Sequence, residues 1–218
     1  MASRTPAAST AAALIAENAT LPLLRETAQG CQACDLYLRG TQTVFGEGRE
    51  RSELMLVGEQ PGNDEDLAGH PFVGPAGRLL DKALENAGID RSSAWVTNVV
   101  KHFKWEARGK RRIHAKPNAA EVRACMPWLQ AEIRLVRPRL VVCLGATAAQ
   151  ALLGKSFRVT ESRGSILPCE FAPGIMATVH PSSLLRAPDE EARRSGIEQF
   201  TADLRRAAAW LLQEGRAA

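Results

Sequence analysis

The chain has 218 residues, 45 % of them hydrophobic, and its 28 Lys and Arg outnumber its 24 Asp and Glu for a net charge of +4. That length supports one domain whose core folds without disulfide staples, and no run of about 18 apolar residues offers a membrane span. The small basic excess suits a polyanionic partner without identifying one. Residues 1–19, rich in Ala, Ser and Thr, read as a flexible tail leading into a helix that ends near Gly30; 20–218 read as a single domain. The apolar run 53–57 stops at Gly58 and predicts a buried strand. Helical spacing of Leu79, Leu80, Ala83, Leu84 and Ala87 predicts a helix over 75–87, closed by Gly88. Residues 94–100 are β-rich, and Asn118 with Glu121 forms a capping box for a helix running to 136. A strand over 139–144, a short helix over 147–153, a strand over 175–179 and a helix over 189–213 complete the chain.

Strands that are almost wholly apolar and alternate with helices predict a three-layer α/β/α fold around a mostly parallel sheet. Ligands of such sheets bind at the carboxyl ends of the strands. Four strand ends here carry polar sequence: Gly58-Glu59-Gln60-Pro61-Gly62, Asn98 with Lys101-His102, Gly145-Ala146-Thr147, and His180-Pro181-Ser182-Ser183. Residues distant in sequence are thereby expected on one rim.

The cysteine count is five, odd for a disulfide framework, and the N-terminus lacks the charged and apolar blocks of a secretory signal. We therefore expect a reducing cytoplasm, where clustered cysteines hold metal or do redox chemistry. Cys31 and Cys34 form a Cys-x-x-Cys pair able to face one metal centre. Cys125 falls on the capped helix. Cys143, inside an apolar strand, reads as a small buried hydrophobe. A fourth ligand is sought, and His102 past a strand end is a candidate, since imidazole replaces thiolate on iron in some clusters; its plainer reading is a surface histidine. Seven of the sixteen residues in 101–116 (KHFKWEARGKRRIHAK) are Lys or Arg, with Phe103 and Trp105 among them. Basic charge neutralises phosphate and aromatic rings stack on bases. No helical or strand period runs through this segment, so it reads as a loop leaving the rim. His114 is its titratable nucleophile.

Together these segments resemble the uracil-DNA glycosylase superfamily, and within it the iron–sulfur, family-four-like enzymes. The likeness covers nearly everything from Gly30 to Ala207 and rests on CQAC, TVFGEG at 43–48, GEQPG, GHPFVGPAG at 69–77, VTNVVKH at 96–102, LGATAA at 144–149 and HPSSLLR at 180–186. Two features are similar to the UdgX group: His102 where a third cysteine is usual, and the inserted KRRIH at 110–114. The resemblance implies His114 as a nucleophile that captures uracil-containing DNA covalently, Cys31, Cys34, His102 and Cys125 as ligands of a [4Fe-4S] cluster, and Cys143 as the competitor of His102. It gives Phe72 as the ring stacking on a flipped base and His180 as the donor to uracil O2. Asn98 reads the O4 and N3–H edge, its amide offering both a donor and an acceptor. Glu59 then orients His114 or accepts its proton. Gly58, Gln60, Arg112 and Ser182 are expected to hold the base or adjacent phosphate. The implied partner is uracil-containing DNA, with single strands preferred and a monomer acting on it. Two rivals stand: a turnover glycosylase using water, and a non-catalytic iron–sulfur DNA-binding or redox-sensing protein.

Overall fold

A computed structural model describes residues 10–214. Its regular elements run, in chain order, α1 (Leu21–Gln29), β1 (Leu54–Gly58), α2 (Asn63–Ala68), α3 (Pro75–Asn86), β2 (Trp95–Asn98), β3 (Trp105–Arg108), β4 (Arg111–His114), α4 (Ala119–Val136), β5 (Leu140–Leu144), α5 (Ala146–Leu153), α6 (Val159–Ser162), β6 (Ile166–Leu167), β7 (Gly174–Thr178), α7 (Pro181–Leu184) and α8 (Glu190–Glu214). The central sheet has the order β2-β1-β5-β7-β6; its first four strands are parallel and the two-residue β6 pairs antiparallel with β7 at the edge.

Strand side chains alternate between faces, and here both faces are covered. Met55, Val57, Val141, Cys143, Ile175 and Ala177 pack beneath α1, α4 and α5, where Leu24, Trp128, Leu129 and Ala149 meet them. Leu54, Leu56, Val142, Leu144 and Met176 pack on the other side against Leu80 and Leu84 of α3 and Phe200 and Leu204 of α8. That is the expected three-layer α/β/α fold, with strands too apolar to face water on either side. The capping box of α4 forms as expected: Asn118 accepts from the Ala120 and Glu121 amides, and Glu121 accepts from the Asn118 amide. No helix among the described residues is long and apolar enough to cross a membrane.

Two sequence expectations need correction. Residues 1–9 of the expected tail lie outside the described residues, but 10–19 are anchored at Ala11 and Ala19, which are buried with α1 and α4, while most of the residues between them are exposed. The basic segment is not an irregular loop. Its end at Lys101, His102 and Phe103 is buried, and the rest forms an antiparallel hairpin of β3 and β4, with Trp105 opposite His114 and Arg108 opposite Arg111. The missing alternation has a physical reason. This hairpin is held by polar tethers, so its inward side chains need not be apolar.

Candidate functional site

The carboxyl ends of β1, β2, β5 and β7 and the foot of the hairpin enclose a cleft of about 620 Å³. Glu59, Gln60, Phe72, Asn98, His114, Thr147, His180 and Ser182 line it, joined at the mouth by Ile113, Lys116 and Arg186. The parallel register sets this convergence, since Gly58 stands beside Asn98 and the β1 ladder continues past it as Val99 and Val100 donate to the Gly58 and Glu59 carbonyls, both at 3.0 Å. Gly58 lies behind the wall. A Cβ there would collide with the Asn98 carboxamide and the Phe72 ring, so only glycine lets both close on the strand end. Phe72 itself takes a left-handed backbone, φ 57°, in a tight turn, and its ring stacks on that of His180 at 5.9 Å between centroids and 29° between planes.

Asn98 is buried, and its side-chain oxygen has no hydrogen-bond partner. A buried carbonyl left unsatisfied costs about 1–3 kcal/mol. An N–H donor entering the cleft would relieve that cost. His180 follows β7, and its Nδ1 accepts from the Ser182 amide at 3.1 Å and lies 2.8 Å from the Ser182 hydroxyl. Since an amide can only donate, Nδ1 carries no proton and Nε2 carries one. Burial lowers the pKa of this histidine to about 4, against a weaker opposing pull from Glu59. The ring is therefore a neutral donor at neutral pH.

Glu59 meets the Thr147 hydroxyl through one carboxylate oxygen and His114 Nε2 through the other, at 3.2 Å. Burial alone would raise its pKa, but the hydrogen bonds from His114 and Thr147 hold it below the usual carboxylate range. Glu59 is thus ionised and aimed at an imidazole whose side chain is 49 % exposed.

Gln60 and Arg112 have different surroundings from those expected. The Gln60 amide spans the hairpin foot: Nε2 donates to the Lys104 and Ala115 carbonyls, at 3.2 and 3.0 Å, and Oε1 accepts from the Lys104 amide at 3.0 Å. Both of its donors are spent on the hairpin. Arg112 is absent from the cleft wall. Its guanidinium donates to Asp66 at 2.6 Å and Asn63 at 2.9 Å, and packs over the rings of Phe103 and Trp105 at 5.5 and 5.6 Å. Paired with the fully buried Asp66, this arginine anchors the hairpin, while its second terminal nitrogen has no hydrogen-bond partner among the described residues. Sequence reasoning missed Asp66 and also Glu65, whose carboxylate accepts from the Gly62 and Gly74 amides and joins the two turns flanking the cleft. Their spacing in an acidic first turn of α2 was the available signal.

Cys31 and Cys125 lie in the core beside α1 and α4, with Cys34 packed against them. Cys31, Cys34 and Cys125 are close enough for their charges to perturb one another. Cys31 accepts from Trp128 Nε1 at 3.3 Å and Cys125 from the Lys101 amide at 3.2 Å. Burial pushes the Cys125 thiol up to about 12. His102 Nε2 is 3.0 Å from the Thr43 hydroxyl, which spends its own proton on the Ala28 carbonyl, so Nε2 donates and Nδ1 is bare. Among the described residues, however, no group of three or more His, Cys, Asp or Glu could hold a metal ion as placed. A cluster with one ligand per iron spreads its ligands wider than a single ion does. Three neighbouring thiols, two of them accepting N–H bonds, fit that donor chemistry. Cys143 does not join them. It is fully buried in the sheet, and the thiol that perturbs it is Cys169.

Comparison with known proteins agrees with this outline. The chain is 36 % identical over 196 residues to a type-4 uracil-DNA glycosylase of Thermotoga maritima, covering 89 % of this chain and 96 % of that one. It is 37 % identical over 175 residues to a type-4 uracil-DNA glycosylase of Pyrobaculum aerophilum, covering 77 % and 86 %. A third, from Archaeoglobus fulgidus, is 34 % identical over 165 residues, covering 72 % and 79 %. The uracil DNA glycosylase superfamily pattern matches residues 45–205, well over half of the sequence. The chain belongs to the uracil-DNA glycosylase superfamily.

Proposed function

We propose that this protein excises uracil from DNA and then captures the DNA covalently through His114. The observation that carries the reading is one cleft holding an unsatisfied carboxamide oxygen on Asn98, a neutral donor on His180 and an imidazole on His114 paired with ionised Glu59. A nucleotide swung out of the DNA slides its base along Phe72. Uracil N3–H meets Asn98 Oδ1; cytosine has a bare nitrogen there and is refused.

As the C1′–N1 bond breaks, its electron pair leaves with uracil, and charge gathers on O2. A positioned donor such as His180 Nε2–H is worth about 3 kcal/mol to that transition state. The bare ring nitrogen of His114 then closes on C1′. The resulting alkylimidazolium keeps its remaining N–H on Glu59, whose ionised carboxylate balances the new charge, and uracil departs with the electron pair. Water plays this part in an ordinary glycosylase. Gln60 and Arg112 serve the reaction by holding the hairpin that presents His114.

Cys31, Cys34, Cys125 and His102 would hold a [4Fe-4S] cluster, which when bound supplies a cross-link between the N-terminal segment and α4. Visible absorbance of anaerobically purified protein should be lost in Cys125→Ser and kept in Cys143→Ala.

The test of capture is a denaturing gel of protein mixed with uracil-containing single-stranded DNA. A slow band in wild type and none in His114→Ala is expected; a band that persists in the variant overturns capture. The type-4 relatives favour a second reading, release by water with turnover. It predicts free uracil and abasic DNA from wild type in excess of protein. Tight DNA binding with no uracil release would instead leave the non-catalytic reading.

A further inference from the structure

Lys101 belongs to the basic run, yet it is 1 % exposed. Its ammonium folds back to donate to three acceptors: the Thr97 hydroxyl at 2.7 Å, the Asn98 carbonyl at 2.8 Å and Glu132 Oε2 at 2.5 Å. It also sits over the Phe45 ring, 5.4 Å from the centroid. Glu132, fully buried on α4, accepts in addition from Thr97 and from the Gly46 amide. A buried ion pair is a poor means of gaining stability, because an apolar pair of similar volume often does as well or better. Its acceptors suggest another use. Two of the three Lys101 acceptors belong to the last two residues of β2, and the second is Asn98 itself.

Asn98 needs such support. Its side-chain oxygen makes no hydrogen bond among the described residues, so that oxygen is not held by a bond of its own. Its direction is set by packing against Gly58 and by the backbone that carries it. We propose that Lys101, clamped by Glu132, is a positioning residue for base reading: it fixes the Asn98 peptide so that the carboxamide meets the uracil edge already aligned. The inference rests on the glycosylase reading above and adds a residue pair that touches neither base nor sugar. Pre-set alignment matters most where one side chain both donates and accepts, since a small rotation spoils both bonds.

The test replaces the pair together, Lys101→Met with Glu132→Gln, so that no buried charge is stranded. The Lys101 amide, and with it the contact to Cys125, is unchanged. Single-turnover uracil release should slow about 10- to 100-fold. Affinity for DNA carrying an abasic site, which presents no base to Asn98, should stay at the wild-type value. In an Asn98→Ala background, followed over hours, adding the pair should cause no further slowing, because coupled residues are not additive. An unchanged rate in the pair variant overturns the inference. So does the same loss in both backgrounds, or an equal loss of abasic-DNA affinity, since either marks a merely structural role. Should the pair variant fail to fold by its melting profile, Thr97→Val decides: slower release with abasic binding intact supports the clamp, and a wild-type rate overturns it. Wild-type protein that releases no uracil sinks the glycosylase reading, and this inference with it.

Discussion

Asn98 and His180 stand at the ends of strands buried on both faces, whereas His114 ends a strand of an exposed two-stranded ribbon and has half its side chain in solvent. The first two are placed by the sheet itself. Parallel pairing fixes where β2 and β7 stop, and apolar side chains above and below hold them there. The hairpin has no such layer. A lone two-stranded ribbon is marginal in water, and this one is held by Gln60 at its foot, by Arg112 on Asp66, and by Trp105 Nε1 donating to the Arg39 carbonyl. Under the proposed capture, the contrast separates two tasks. Reading a base requires a rigid edge; delivering a nucleophile to C1′ requires reach, which tethers allow and a packed strand does not. Damage to the rim should therefore stop excision, while damage to the tethers should change the fate of the sugar once the base has left.

The largest expected effect tests the rim. His180→Ala removes the donor proposed to face the developing charge and should slow uracil release about 10²- to 10³-fold, with the far-ultraviolet circular dichroism unchanged. Single-turnover release from a uracil oligonucleotide measures it. A rate within a few-fold of wild type would show that the donor is elsewhere.

Asp66→Asn tests the tethers. It leaves Arg112 without its counter-ion beneath the hairpin, a break that costs about 3 kcal/mol for a buried pair. Uracil release should fall only a few-fold, while the fraction of DNA trapped falls about tenfold as water competes with a misplaced imidazole. The ratio of trapped to released product, read from one gel, is the measurement. If both fall together, rim and hairpin are not separable.

A smaller effect comes from pH. His180 keeps a neutral ring down to about 4 in the fold, while a free histidine protonates near 6.5. Between those values the unfolded chain binds more protons at this residue, so the His180 contribution makes stability fall as pH drops from about 6.5 to about 4, and that contribution levels off below. Protonation also takes Nδ1 away from the Ser182 amide. The melting temperature should track this decline, and the slope should shrink in His180→Ala.

The same contrast governs what could be read from sequence. The strands announced themselves as apolar runs closed by glycine or histidine, and the polar residues after them, Asn98 and His180, fell on one rim because parallel strands end together. The hairpin was hidden. Its inward residues include Arg112, whose partner Asp66 is 46 positions away, and its foot depends on Gln60, 44 and 55 positions from the atoms it binds. Charge pairing over such distances leaves no local period. The burial of Lys101 was hidden for the same reason, since its partner Glu132 lies 31 residues further along the chain. Cys143 could be read correctly as a core residue, because a thiol flanked by Val142 and Leu144 has the pattern of a buried strand.

The mildest break lies at the hairpin tip. Gly109 takes φ +60° between β3 and β4, and a Cβ there would meet nothing within 4 Å. Gly109→Ala therefore tests backbone conformation alone, at a cost of about 1 kcal/mol, and Gly109→Asn should cost less because asparagine tolerates the left-handed region. The tip lies five residues from His114, and Gln60 fixes the foot independently of it. The alanine variant should speed amide exchange at Arg108 and Arg111, leave uracil release unchanged and lower trapping by less than about threefold. A larger drop in trapping would mean that the nucleophile is positioned by the whole ribbon, with the tethers at its foot only secondary, and the division drawn between rim and hairpin would have to be redrawn inside the hairpin.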